Sequence, residues 1–361
     1  MGPRQARIFA ILYISVIAYL SLYPGTFSPT PGEGFLWLPM AGRRQALDAI
    51  LNLLFYVPLG FSIRSALGGN SRMVLLATLT AAGVSFVVEY LQIWSPSRYS
   101  TLNDLVTNSA GSAVGALLAE FLRGNPSPWF RRHLEQLRLA PMAALFTGLW
   151  FSWQLFPFVP RISWSSTLVQ WTHPAAWSWP LFFAAMFGFA VLRYAKATTP
   201  WLVLAFAATV GQFVILDRSL SPHVVLGAAA GAVLAFPKLP RSWFAAGLLI
   251  WLLVDELRPF TFLNTPQEFS WAPFSTWFDA VGLEYYTVVF RKLFLYTATT
   301  WFLQRSGMRL LWTVGLPFGV LAVGEWMQRY LPGRTPEITD LALLMGGVVL
   351  IEILKLSNKA D

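Results

Sequence analysis

The 361 residues are 56% hydrophobic, 16% aromatic and only 12% charged, with 17 Trp and no Cys. A soluble domain carries about a quarter charged residues, so the composition excludes disorder and points to a membrane protein. The missing Cys excludes disulfides and thiolate chemistry, and His133, His173 and His223 fit no metal-ligand spacing, so no metal or cofactor is expected.

In chain order, apolar runs cover 7–23, 47–64, 73–94, 103–122, 141–157, 178–193, 200–216, 222–236, 242–257, 286–303, 309–330 and 338–355. The expected fold is all-α: a polytopic transmembrane helical bundle of about twelve spans. The first run reads as a retained helix, because no small-x-small cleavage site follows it. With the N-terminus inside, every inner loop carries at least two bases, including Arg64 and Arg72, Arg193 and Lys196, and Arg305 and Arg309. The net charge of +9 is therefore ascribed to cytoplasmic loops rather than to nucleic-acid binding. The Trp residues are expected mostly at the membrane interface or facing lipid.

The third and fourth runs enclose "EYLQIWSPSRYSTLNDLVTNSAGSAVG". A fixed shift of 236 residues carries Glu89, Gln92, Arg98 and Asp104 onto Glu325, Gln328, Arg334 and Asp340. A shift of 120 carries Gln92 and Arg98 onto Gln212 and Arg218, with Thr209 in the place of Glu89 and His223 beside the place of Asp104. Each copy follows a helix ending in Leu-x-Pro, at Pro24, Pro157 and Pro259. The chain thus reads as three parallel four-helix repeats, 1–124, 139–241 and 242–361, joined after the first by a basic, Pro-containing linker.

Within the first repeat, Glu89 and Gln92 share a helix face, and "SPSR" is turn chemistry. Thr101-x-x-Asp104 has the spacing of a helix-start capping box. Arg98 is expected to bridge Glu89 and Asp104, with Asn52 facing the same group. Asp104, Asn108, Gly111 and Gly115 form one stripe, whose small end suits close helix packing; Gly227 and Gly231 repeat it. The bland alternatives are that Asp104 only complements a helix dipole and that Arg98 only holds a loop. His223 reads first as an interfacial histidine and only weakly as a ligand group.

These residues carry a resemblance. Asn52, Pro58, Gly60, Glu89, Gln92, Arg98, Asp104, Asn108 and Gly111 stand in the pattern of the VanZ-like integral membrane proteins. The 242–361 repeat has Lys292 near the Asn position, Ala298 for the Pro and Leu344 for the second Asn, and the 139–241 repeat lacks both acids. The resemblance implies a protein of the bacterial cytoplasmic membrane, in a family whose namesake is associated with teicoplanin resistance.

Three functions stay open. The first is a non-enzymatic envelope protein whose outer charged cluster binds a membrane lipid or lipid-linked precursor headgroup, with Arg98 taking a phosphate or carboxylate. The second is a membrane enzyme acting on a lipid-linked glycan or phospholipid, with Glu89 and Asp104 as acid and base. The third is a lipid or small-molecule transporter.

Overall fold

The computed structural model describes residues 2–37, 43–124, 140–161, 163–234, 240–276 and 284–358. The linker around 125–139, with His133, lies outside them. Thirteen α-helices are described: α1 (Pro3–Leu22), α2 (Arg43–Leu67), α3 (Arg72–Gln92), α4 (Leu102–Arg123), α5 (Pro141–Leu155), α6 (Trp164–Thr172), α7 (Trp179–Tyr194), α8 (Thr199–Gly211), α9 (Pro222–Leu234), α10 (Arg241–Leu257), α11 (Glu284–Arg305), α12 (Leu310–Gln328) and α13 (Thr339–Asn358). Each apolar run coincides with a helix to within a few residues; α6 is the addition.

By length and composition, five helices can cross a membrane: Pro3–Leu22, Gln45–Leu67, Arg72–Gln92, Leu102–Arg123 and Leu310–Gln328. Trp179–Tyr194, Thr199–Val214 and Pro222–Leu234 are apolar but shorter. The expected twelve spans therefore narrow to five full-length candidates among the described residues.

The chain divides into two compact units, Met1–His133 with Ile353–Asp361, and Leu134–Glu352. The first is turned inside out relative to a soluble domain. Ile11, Leu75, Leu79, Phe86 and Leu117 point outward, while Ser62, Ser85, Glu89, Gln92, Asn108 and Ser112 are buried. Lipid solvates the former without cost, and the latter need partners inside the bundle. Small residues (Ala10, Ala77, Ala81, Ala116) form much of its core and let the helices approach. A Cβ on Gly111 or Gly115 would overlap the carbonyl oxygens of Leu53 or Val57, so α4 lies directly on the backbone of α2. Away from the Glu89 end, Arg64 is fully buried; it donates to Gly68 O at 2.7 Å and Asn70 O at 3.1 Å and pairs with Glu120.

The second unit has an aromatic core in which Phe146, Trp150, Phe294 and Trp301 meet edge to face. Trp150, Trp153, Trp251 and Trp301 are buried here, while Trp171, Trp177, Trp179, Trp243, Trp271, Trp312 and Trp326 are exposed. Aromatic rings fill the spaces where their edges and faces are complementary.

Backbone bonds at one end of each unit follow one pattern. In the first, Ser28 N donates to Trp94 O (2.7 Å), Gly32 N to Ile93 O (2.7 Å), Leu36 N to Ser100 O (3.1 Å), and Leu102 N to Leu36 O (2.8 Å). In the second, Leu263 N donates to Tyr330 O (2.6 Å), Gln267 N to Arg329 O (2.7 Å), Ser270 N to Pro336 O (2.9 Å), and Ile338 N to Ser270 O (3.1 Å). The acceptor positions differ by 236 residues in the first three pairs. Arg161 N on Val214 O (2.6 Å) and Leu216 N on Val159 O (2.9 Å) tie the middle segment in a related way. The loop after the first helix thus satisfies the turn between the third and fourth.

Candidate functional site

In the first unit, α2, α3 and α4 enclose a polar cluster beside the end of α1. Thr101 caps α4, its Oγ1 accepting from Asp104 N at 3.0 Å, which leaves the Asp104 carboxylate at the helix mouth. Asp104 Oδ1 accepts from Asn52 Nδ2 at 2.6 Å. Glu89, 3% exposed, turns its Oε2 to Thr101 N at 3.0 Å. Gln92 Nε2 donates to Ser21 O at 2.9 Å, and Asn108 Nδ2 to Ser85 Oγ at 2.9 Å.

Arg98 corrects the expectation from sequence. Its described bonds run to the end of α1, from Nε to Tyr23 O at 3.1 Å and from Nη2 to Leu20 O at 3.4 Å. A helix end leaves carbonyls without intrahelical donors, and the guanidinium fork supplies several donors at once. The two acids meant for Arg98 are held by Thr101 N and Asn52 instead. Burial lowers the Arg98 pKa from its usual value.

Tyr56 completes the floor. It is 2% exposed, and its hydroxyl lies beside Ser85, Glu89 and Asp104. Asn108 Oδ1 is likewise buried without a donor. Asp48, one turn before Asn52 on α2, faces Asp104 and is exposed.

A second cluster occupies the second unit, where Glu256 of α10, Lys292 and Tyr296 of α11, Glu325 and Gln328 of α12 and Asp340 of α13 converge. Lys292 Nζ donates to both Asp340 oxygens, at 2.7 and 2.6 Å. Glu325 Oε2 accepts from Glu337 N at 3.1 Å, the bond that Glu89 makes to Thr101 N. Gln328 Nε2 bonds Glu256 Oε2, and Tyr296 Oη donates to Glu256 Oε1 at 3.3 Å. Arg334 caps the end of α10, through Arg258 O at 3.0 Å and through Asp255 O. Gly324 makes room for Glu256, since a Cβ there would meet Glu256 Cβ at 2.7 Å. Glu256, Glu325 and Asp340 bring one oxygen each within 4.8 Å of one another, close enough to hold a cation, and the Lys292 ammonium is bonded within this group.

In the middle segment, Gln212 Nε2 donates to Thr209 O at 2.9 Å and Arg218 Nη2 to Trp153 O. His223 is 1% exposed, edge-on to Trp177 at 6.0 Å, with neither ring nitrogen hydrogen-bonded. Gly227 and Gly231 lie against the carbonyls of Phe182 and Met186.

Sequence reasoning missed Tyr56, Ser85, Tyr296 and Glu256. The available signal was a buried Tyr four residues after both Asn52 and Lys292, and an acid three residues before Pro259.

Compared with known families, residues 8–123 match the family model described as VanZ/LLP1. The match spans nearly all of α1–α4, the part that carries the first cluster. No curated protein and no solved structure matches the chain.

Proposed function

We propose that the chain is a membrane protein of the bacterial cell envelope whose first cluster binds the headgroup of a membrane lipid or lipid-linked envelope precursor. One observation carries the reading: two carboxylates, Glu89 and Asp104, and the buried Asn108 Oδ1, which lacks a donor, gather in one polar cluster of an apolar bundle. Buried polar groups are normally satisfied, and ionisable groups inside membrane helices are functional by default.

The proposal includes three tandem four-helix repeats with the N-terminus inside and the first cluster at the outer face. Its support is the recurrence of the Glu–backbone bond, the Arg cap and the loop bonds at matching positions. Arg98 serves here as a clamp on α1, so headgroup contact falls to Glu89, Asp104 and their neighbours. Tolerance of lipoglycopeptides would follow if the bound headgroup belongs to the wall-precursor pathway.

The test is lipid retention by the purified full chain in nanodiscs. Glu89→Gln and Asp104→Asn are each expected to lower retention about tenfold or more, the loss of one charge-assisted hydrogen bond. Unchanged retention in both variants, with folding intact, would overturn the reading. A transport reading draws support from the second cluster, whose four ionisable side chains lie on apolar helices; substrate flux in proteoliposomes tests it.

A further inference from the structure

We infer that α6, Trp164–Thr172, is an in-plane membrane helix, seated at the boundary between headgroups and acyl chains with its apolar side among the lipids. The inference rests on the membrane placement proposed above and not on the headgroup site of the first cluster.

Nine residues of helix rise about 14 Å. Crossing the hydrocarbon core takes about 30 Å, so α6 does not span it. Its burial is the reverse of that of a helix on a water-soluble protein. Thr167 is buried and Ser166 and Gln170 are half-buried, while Leu168, Val169 and Trp171 are exposed. In water this arrangement would leave the apolar side of the helix hydrated, and lipid makes it favourable.

The surroundings argue against water as the partner of that side. Between Arg161 and Arg193 the chain has no Asp, Glu, Lys or Arg. A solvated segment of that length would carry several, at the usual share of about a quarter. The stretch is instead rich in Trp, which favours the membrane–water boundary, and Trp171, Trp177 and Trp179 are exposed. Trp171 rests on Phe213 with ring centroids 5.0 Å apart, which seats α6 on the turn after α8. Trp177 meets Trp179 edge to face at 5.1 Å, where the apolar helix α7 begins.

The polar groups of α6 are settled without water. Ser163 Oγ and Ser165 Oγ lie 2.9 Å apart, and Ser166 Oγ and Thr167 Oγ1 donate to Ser163 O at 2.8 and 3.0 Å. At the other end, Thr172 Oγ1 donates to Leu168 O at 3.1 Å and His173 N to Val169 O at 2.9 Å. A helix that leaves bulk water has to satisfy its polar groups in this way. With no Lys or Arg on it, α6 has no means of selecting anionic lipids, so its partner is the uncharged apolar boundary of the bilayer.

The chain has no Cys, so one introduced thiol reports one position. Leu168→Cys and Val169→Cys, each carrying an environment-sensitive fluorophore, are studied as the full chain in phosphatidylcholine nanodiscs. Lipids with a nitroxide near the headgroup or near the acyl end quench from known depths, and iodide quenches from water. Leu79→Cys, on the exposed side of α3, is the mid-bilayer control, and Ser97→Cys, in the α3–α4 turn, is the aqueous one. Both α6 labels are expected about 5–10 Å into the headgroup–acyl boundary, quenched most by the shallow nitroxide. If one of the two variants fails to fold, the other gives the same reading. Iodide quenching of the α6 labels equal to that of Ser97→Cys would overturn the inference. So would strongest quenching by the deep nitroxide, as for Leu79→Cys, which would make α6 a re-entrant segment. Protection from every quencher, with cysteine cross-links between copies, would overturn it by placing a second copy of the chain on this side. None of these three results touches the headgroup reading, which Glu89→Gln and Asp104→Asn test. Leu79→Cys beyond the reach of both nitroxide lipids would remove the membrane placement, and the inference with it.

Discussion

Arg98 and Lys292 mark two uses of a cation in a low-dielectric bundle. Arg98 spends its fork on Tyr23 O and Leu20 O, so its loss strips donors from the end of α1. Arg98→Ala is expected to destabilise the first unit by about 1.5–3 kcal/mol, the range for hydrogen bonds to a charged group, measured by unfolding in detergent. Arg98→Lys should recover part of this, because a point charge cannot fork to two carbonyls. Stability unchanged in the Ala variant would show that α1 is held by its packing alone. Lys292 instead neutralises carboxylates. Lys292→Met leaves Asp340 buried at 1% exposure without its ammonium and is expected to cost about 3–5 kcal/mol. Adding Asp340→Leu should return much of that loss, and a double-mutant cycle with no coupling would rule the pairing out. The reading from sequence divides along a physical line here. The Thr101–Asp104 cap is local, so its spacing was readable. The target of Arg98 lies some seventy residues back along the chain (at Tyr23), and the place of Glu256 depends on the missing side chain of Gly324 across α12, so neither was.

Among elements, the contact of α2 with α4 sets the geometry of the first cluster, since Asn52 is on one helix and Asp104 on the other. The contact depends on glycine in a specific way: there is no room for a Cβ between Gly111 and Leu53 O. Gly111→Ala should therefore push the helices apart and cost about 1–3 kcal/mol, as overpacking does. Gly83 of α3 is the control, because a Cβ there meets nothing within 4 Å. Gly83→Ala is expected to leave thermal stability unchanged or slightly higher. Equal losses in both variants would mean that backbone flexibility, not close approach, is what glycine provides at 111. Helix positions were legible because apolar runs of this length have one stable solution in lipid. The short α6, Trp164–Thr172, was not, because nine residues between turn signals leave no span-length run to detect.

At the scale of the whole molecule, orientation is the property on which the functional reading turns, because a headgroup site at the outer leaflet and one at the inner leaflet meet different lipids. In the proposed orientation, which follows the positive-inside rule, the α2–α3 turn, flanked by Arg64 and Arg72, is cytoplasmic and the α3–α4 turn lies outside. The fold supplies a matching division, since the Arg64–Glu120 network and the Glu89–Asp104 cluster sit at opposite ends of α4. The chain has no Cys, so single cysteines report topology without background. Ser97, in the α3–α4 turn, and Ser71, at the start of α3, are both exposed, and Ser71 makes no capping bond with its side chain. In intact cells a membrane-impermeant maleimide is expected to label Ser97→Cys and to reach Ser71→Cys only after permeabilisation. The opposite pattern would invert the bundle and place the first cluster on the cytoplasmic leaflet. Labelling of both without permeabilisation would show that α3 does not cross the membrane at all, and the headgroup reading would then lose its premise.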